Sequence, residues 1–218
     1  MRATLIGRFL LLSIIWLMVL LPLWYWAAPW LAIPPTWLAG MVMKALFSWV
    51  DGFSQEGVKA VLHTLVQVRM KGPNGDVFGE LTPEVNYPVY GYGLVLLWAM
   101  LLASHPKRWW LKGLIGSVLL IPAQAWGICF QWLRDVVVTS GPLGSAYLKY
   151  PQWAMEAIAY GYQFGFLMLT PVAPILLWLM FDKRFVAALW LEAALAGKPD
   201  AAKPTTASRD ANHQAPRQ

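Results

Sequence analysis

Apolar residues gather into four long runs, at residues 9–31, 89–104, 110–132 and 155–180. About 20 apolar residues in an α-helix cross a hydrocarbon layer about 30 Å thick. The first, third and fourth runs are long enough; the second reaches that length only with Tyr87 and Trp109 as interfacial ends. Cations occupy alternate gaps: Arg2 and Arg8, then Lys107, Arg108 and Lys112, then Lys183 and Arg184. Short cationic loops stay on the cytoplasmic side, so all three clusters fall there with no run skipped. The pattern predicts a multi-pass protein of the bacterial inner membrane with both termini cytoplasmic. Residues 36–88 and 133–150 are then periplasmic.

The segment after the first run has a different texture. Pro34-Pro35 is expected to end the first helix. Residues 37–50 carry an amphipathic helical pattern suited to lying on the bilayer surface. Across residues 58–70, Val58, Ala60, Leu62, Val66, Val68 and Met70 alternate with Lys59, His63, Gln67 and Arg69, with Val61 and Leu65 as exceptions. That period of two predicts a strand, Gly72-Pro73-Asn74-Gly75-Asp76 a turn, and residues 77–81 a returning strand. A lone hairpin is marginal in water, so one face needs cover from the helix, the bilayer or a partner. The expected fold class is an all-α integral membrane protein: four transmembrane helices with a small periplasmic α+β insertion, amphipathic helix plus β-hairpin, between helices 1 and 2.

The chain divides accordingly into a signal-anchor helix (1–32), a periplasmic segment (33–88), a three-helix region (89–196) and a cytoplasmic tail (197–218). The first run opens like a secretory signal but is too long and ends in Trp24-Tyr25-Trp26, so it reads as uncleaved. The last helix is expected to start at Pro151, to project above the bilayer in its first turns, and to kink at Pro171 and Pro174. The tail, rich in Ala, Pro, Thr and Lys, reads as disordered.

Composition strengthens the membrane reading. The chain is 58% hydrophobic and 13% charged, about half the charge of a soluble domain. Many of its 14 Trp and 8 Tyr sit at run edges, where an amphipathic ring suits the headgroup layer. The net charge of +6 therefore reflects topology and contact with membrane lipids. No basic stretch interleaved with aromatics is long enough to track a nucleic acid. Cys129 is the sole cysteine, so no intrachain disulfide forms.

Candidate chemistry is sparse. Gln124, Gln131 and Asp135 share one helical face, as do Gln152, Glu156, Tyr160 and Gln163. Polar groups in lipid need partners, so the two stripes are expected to face each other as an intramembrane polar seam, or to face a partner protein. Arg134 fits an interfacial cation reaching for phosphate. Gly161 and Gly165 form a small-xxx-small pair that admits a close helix–helix contact. Cys129 near Arg134 would suit a membrane thiol enzyme, but the two lie about 140° apart around a helix. None of His63, His105 and His213 falls beside the cysteine, so an inert buried thiol is expected. No metal-ligand spacing and no glycine-rich nucleotide loop appears, which predicts no metal and no cofactor. Uncharged second and first runs (beyond Arg8) weaken an ion-transport reading.

Two segments carry a family resemblance. Asn86-Tyr87-Pro88-Val89-Tyr90-Gly91-Tyr92-Gly93-Leu94, followed by a leucine-rich span, resembles a tyrosine–glycine motif of the exosortase H-associated membrane proteins. Tyr162-Gln163-Phe164-Gly165, then Pro171-Val172-Ala173-Pro174, then Asp182-Lys183-Arg184-Phe185 is similar to that family's last span. Tyr87 is an insertion relative to the motif, and Val95 stands where proline is expected. The resemblance implies a non-catalytic accessory protein for an exosortase, a membrane transpeptidase-like enzyme that processes C-terminal sorting tails. No catalytic residue carries over. The partner-binding surface it implies comprises Asn86, Tyr90 and Tyr92 with Gln152 and Glu156 at the outer end of the last run, facing the transpeptidase or its sorting-tail substrate. The alternatives are a scaffold subunit of a surface-polymer or pilus assembly system, or a Cys129-dependent thiol enzyme.

Overall fold

The structure is a computed structural model and describes residues 5–72, 75–140 and 148–196. The tail expected over 197–218 and most of the glycine–proline stretch 140–144 lie outside these residues. Helices dominate: α1 (Leu5–Leu31), α2 (Ile33–Leu46), α3 (Pro88–Ser104), α4 (Trp109–Thr139), α5 (Gln152–Gln163), α6 (Thr170–Phe181) and α7 (Lys183–Ala196). A π-helical segment, Phe164–Leu169, joins α5 to α6 into one continuous rod. Three helices are long and apolar enough to cross a membrane: Leu5–Leu31, Trp109–Thr139 and Gln152–Phe181.

The short helix α3 is the hub, packing on α1, α4 and α6. It buries Tyr90, Gly91, Gly93, Val95, Leu97, Ala99, Met100 and Leu101 all around its circumference, as a central helix of uniformly apolar sequence should. Glycine lets the neighbours close in. A Cβ on Gly93 would stand 2.7 Å from the Thr170 carbonyl oxygen of α6, and one on Gly127 of α4 would collide with the Tyr90 ring. α1 is peripheral, burying only Trp24 and Ala28 and exposing most of its leucines and isoleucines.

The bundle has two unlike ends. At one, Phe9 of α1 stacks on Trp178 of α6 with ring centroids 4.9 Å apart, and Phe185 of α7 packs on both rings. The Trp178 indole donates to Ser104 Oγ at the end of α3 (3.1 Å), and the Lys112 ammonium donates to the Phe181 carbonyl. All the described residues of the three cationic clusters therefore gather here. A small β-structure covers the other end. β1 (Val50–Glu56), β2 (Lys59–Thr64) and β5 (Glu84–Asn86) form an antiparallel sheet in the order β1-β2-β5, and β3 (Gln67–Gly72) pairs with β4 (Gly75–Glu80). Trp132 of α4, fully buried, donates its indole N–H to the Ala60 carbonyl of β2 (3.2 Å), and Gln55 of β1 donates to the Pro29 carbonyl of α1 (2.6 Å).

Several expectations need correction. The single strand expected over residues 58–70 is two strands, since the chain leaves one sheet and enters the other at Leu65-Val66. The alternation survives the break: Ala60, Leu62, Thr64, Val66 and Val68 are all buried, while Leu65 is exposed. The expected hairpin exists as β3–β4, closing between Gly72 and Gly75, but β1 and β5 were not foreseen. Pro34 and Pro35 do not simply stop α1. After a one-residue break at Ala32 they open α2, where a missing N–H costs nothing. α2 also does not lie wholly on a bilayer surface: Pro35, Thr36, Ala39, Gly40 and Met43 face the interior, with α4 packed against the helix. Pro151 is the cap preceding α5 rather than its first residue. α4 runs to Thr139, so the loop expected from 133 starts seven residues later.

Candidate docking site at the sheet end

The tyrosine–glycine motif lies where the sheet meets the bundle. Asn86 ends β5 and is exposed; Tyr87 anchors the turn by donating its N–H to the Val58 carbonyl (2.9 Å). The Tyr87 ring folds back over Gly91, which has no Cβ to obstruct it. Tyr90 is 1% exposed, seated on Gly127, with its ring edge-on to Phe166 at 6.5 Å between centroids. It is therefore a packing residue, and no partner reaches it in this arrangement, contrary to the sequence expectation. Tyr92 is half-buried in the cluster that α1 forms around Trp24 and Ala28. Of the motif residues expected to bind a partner, only Asn86 is freely presented.

The two polar stripes do not meet. Gln124 is buried and approaches the Tyr87 hydroxyl at the root of α3. Gln131 and Arg134 converge on the Asp135 carboxylate, with Arg134 Nη1 at 3.2 Å. The Gln152, Glu156, Tyr160 and Gln163 stripe looks outward, with Tyr160 68% exposed. Gln152 donates to Glu156 at 3.1 Å, one turn along the same helix. The face that α5 turns to α4 is its small one: Phe130 fills the space above Gly161, and the Trp126 indole donates to the Gly161 carbonyl (3.1 Å). The Gly161 and Gly165 pair thus serves a helix contact inside this chain.

A different link joins α4 to α5. The Arg134 guanidinium lies over the Tyr162 ring at 4.9 Å, and Tyr162 stacks on Phe166, which in turn meets Tyr90. This ladder, from surface cation to buried motif tyrosine, is not legible in the sequence: Tyr162 stands out there only as part of the last-span resemblance, and its partners Arg134 and Tyr90 belong to other helices. Tyr162 sits two residues after Tyr160, off the polar stripe. The Trp49 indole donates to the Tyr150 hydroxyl (3.2 Å), tying the approach to α5 to the start of β1. Burial raises the Tyr150 phenol above its usual pKa, and the Trp49 hydrogen bond partly offsets this.

The exposed face that remains comprises Gln152, Trp153, Glu156 and Tyr160, with Trp153 71% exposed. It pairs two amphipathic rings with a carboxylate and an amide, a composition suited to protein docking. Cys129 is elsewhere, buried under α2 with its thiol 3.6 Å from the Ala39 carbonyl. Among the described residues, no three His, Cys, Asp or Glu side chains gather as a metal site.

A helical membrane protein with a small sheet on one end of its bundle is the class this architecture defines. The profile of the exosortase H-associated membrane protein family matches residues 3–185, and the chain belongs to that family. No curated protein and no solved structure matches the chain.

Proposed function

We propose that this chain is a non-catalytic accessory protein of an exosortase-type C-terminal protein-sorting system, assisting the transpeptidase or its sorting-tail substrate at the periplasmic face of the inner membrane. The observation that carries the proposal is the projecting face of α5: Gln152, Trp153, Glu156 and Tyr160 are all exposed, and the only hydrogen bond between them is the Gln152–Glu156 pair. The family description supplies the system; this face supplies a place to dock. Asn86 extends the same end of the molecule, while Tyr90 shapes it from beneath.

The orientation follows from the two unlike ends. With the cationic end in the cytoplasm, the sheet, Asn86 and the start of α5 face the periplasm, and both termini lie inside. α3 begins at the sheet end and finishes at Ser104 beside Trp178, so it crosses with its longer neighbours as a fourth span. At 17 residues, or about 25 Å, it is shorter than its neighbours; Tyr87 at its start is buried rather than interfacial, so the flanking Trp109 and a locally thinner bilayer make up the match.

Deleting the gene and following cleavage of a sorting-tail substrate tests the role. The accessory reading expects impaired cleavage, restored in full by a Cys129→Ala copy. Unchanged cleavage on deletion contradicts it, and failure of Cys129→Ala to restore cleavage returns the thiol-enzyme reading.

A further inference from the structure

The cationic end contains a cavity of about 690 Å³ between the α3–α4 turn and the start of α7. Lys107, Lys112, Lys183 and Arg184 line it, with Asp182 and Phe185 among the other walls. Four cations and one carboxylate share this lining, and among the described residues Asp182 forms no ion pair with Lys107, Lys112, Lys183 or Arg184. The Lys112 ammonium spends one donor on the Phe181 carbonyl and keeps two more. Asp182 is 6% exposed; its Oδ1 accepts from the Phe185 N–H at 3.3 Å and caps α7, while Oδ2 has no hydrogen-bond partner. A buried carboxylate oxygen left without a donor is costly, and here it belongs to the cavity wall.

We propose that this cavity binds a phosphodiester that also carries a hydrogen-bond donor: the headgroup of an anionic phospholipid such as phosphatidylglycerol. The phosphate answers the surplus of three positive charges, and a glycerol hydroxyl answers Asp182 Oδ2. Phe181, Phe185 and Met180 line the same cavity and meet the first carbons of the acyl chains. Basic pockets at the ends of transmembrane helices suit such headgroups, because each Lys or Arg adds attraction to anionic lipid. Plain snorkelling of interfacial cations explains the charges but leaves the buried Asp182 oxygen unexplained. The inference needs only a membrane protein with this end at a lipid surface and is independent of the sorting role.

The test uses the full chain, delipidated in detergent. Thermal unfolding is followed with added phosphatidylglycerol, phosphatidylcholine or inorganic phosphate at equal phosphate concentration, and native mass spectrometry counts retained lipid. Phosphatidylglycerol should raise the unfolding temperature and stay bound. Phosphatidylcholine, without net charge or a hydroxyl, and inorganic phosphate should do neither. Lys183→Gln should cut phosphatidylglycerol retention about fivefold, the effect of one interfacial cation. Asp182→Asn, an amide that still caps α7, should narrow the preference for glycerol over choline headgroups. Lys59→Gln, at the opposite end, should match wild type. Equal stabilisation by phosphatidylcholine, or Lys183→Gln and Asp182→Asn both behaving as wild type, overturns the site. Equal stabilisation by inorganic phosphate overturns the lipid assignment in favour of a soluble phosphate. If a variant fails to fold, the lipid series on the wild-type chain decides alone.

Discussion

Tyr90 shows how a motif residue is committed to the fold. Its ring occupies the space where Gly127 lacks a side chain, so α3 and α4 approach as closely as the ring allows. Gly127→Val forces the ring out of a packed core, a kind of overpacking that costs about 1–3 kcal/mol. Thermal unfolding in detergent should show a clear loss for Gly127→Val. Tyr90→Phe keeps the ring and removes a buried hydroxyl with no hydrogen-bond partner, so its unfolding temperature should stay near wild type. A large loss for Tyr90→Phe would mean that the hydroxyl, rather than the ring, matters. Tyrosine and glycine in close succession announced something specific in the sequence, but whether the rings pointed inward or outward was not written there. Burial of Tyr90 depends on Gly127 and Phe166, which are distant in the chain.

At the scale of elements, the sheet and α4 hold each other through Trp132. Trp132→Phe removes the indole donor from the Ala60 carbonyl, which keeps its place in the β2–β5 ladder, at a cost of about 0.5–1.5 kcal/mol. Amide exchange in β2 and β5 should accelerate, while α1, which packs chiefly on α3, should be unchanged; uniform acceleration would mean the sheet is not coupled locally. Legibility differed sharply between elements. The long helices were plain from apolar length, and β2 and β3 from the alternation Ala60, Leu62, Thr64, Val66, Val68. β1 was not, because Asp51, Gly52, Ser54 and Gln55 show no apolar period and the strand is held by pairing with β2. The proline pair at 34 and 35 was misread because proline breaks a helix only from within; at the first turn it starts one. Pro171 and Pro174 are expected to kink the last helix, and the turn just before them is π-helical, where Thr170 Oγ1 donates to the Gly165 carbonyl at 2.8 Å. The polar stripes were matched to each other on the premise that lipid surrounds both. The approach to α5 is tied to the start of β1 through Trp49 and Tyr150, and Gln152 and Glu156 are exposed there and bond to each other.

The whole molecule is polarised, with its cationic clusters at one end and its sheet at the other. Reporter fusions read this directly: alkaline phosphatase should be active when fused at Gly75 and inactive when fused after residue 196. An active fusion at the tail would reverse or break the proposed orientation. On the proposed role, the projecting α5 face at the sheet end docks a component of the sorting system. Co-purification of the exosortase in mild detergent, comparing wild type with Glu156→Leu, tests it most directly. Glu156 is exposed and bonds only to Gln152 on its own helix, so its loss should leave the unfolding temperature near wild type. Exosortase recovery with folded Glu156→Leu protein should drop severalfold below wild type. Absence of exosortase from the wild-type preparation, or equal recovery with Glu156→Leu, would contradict it.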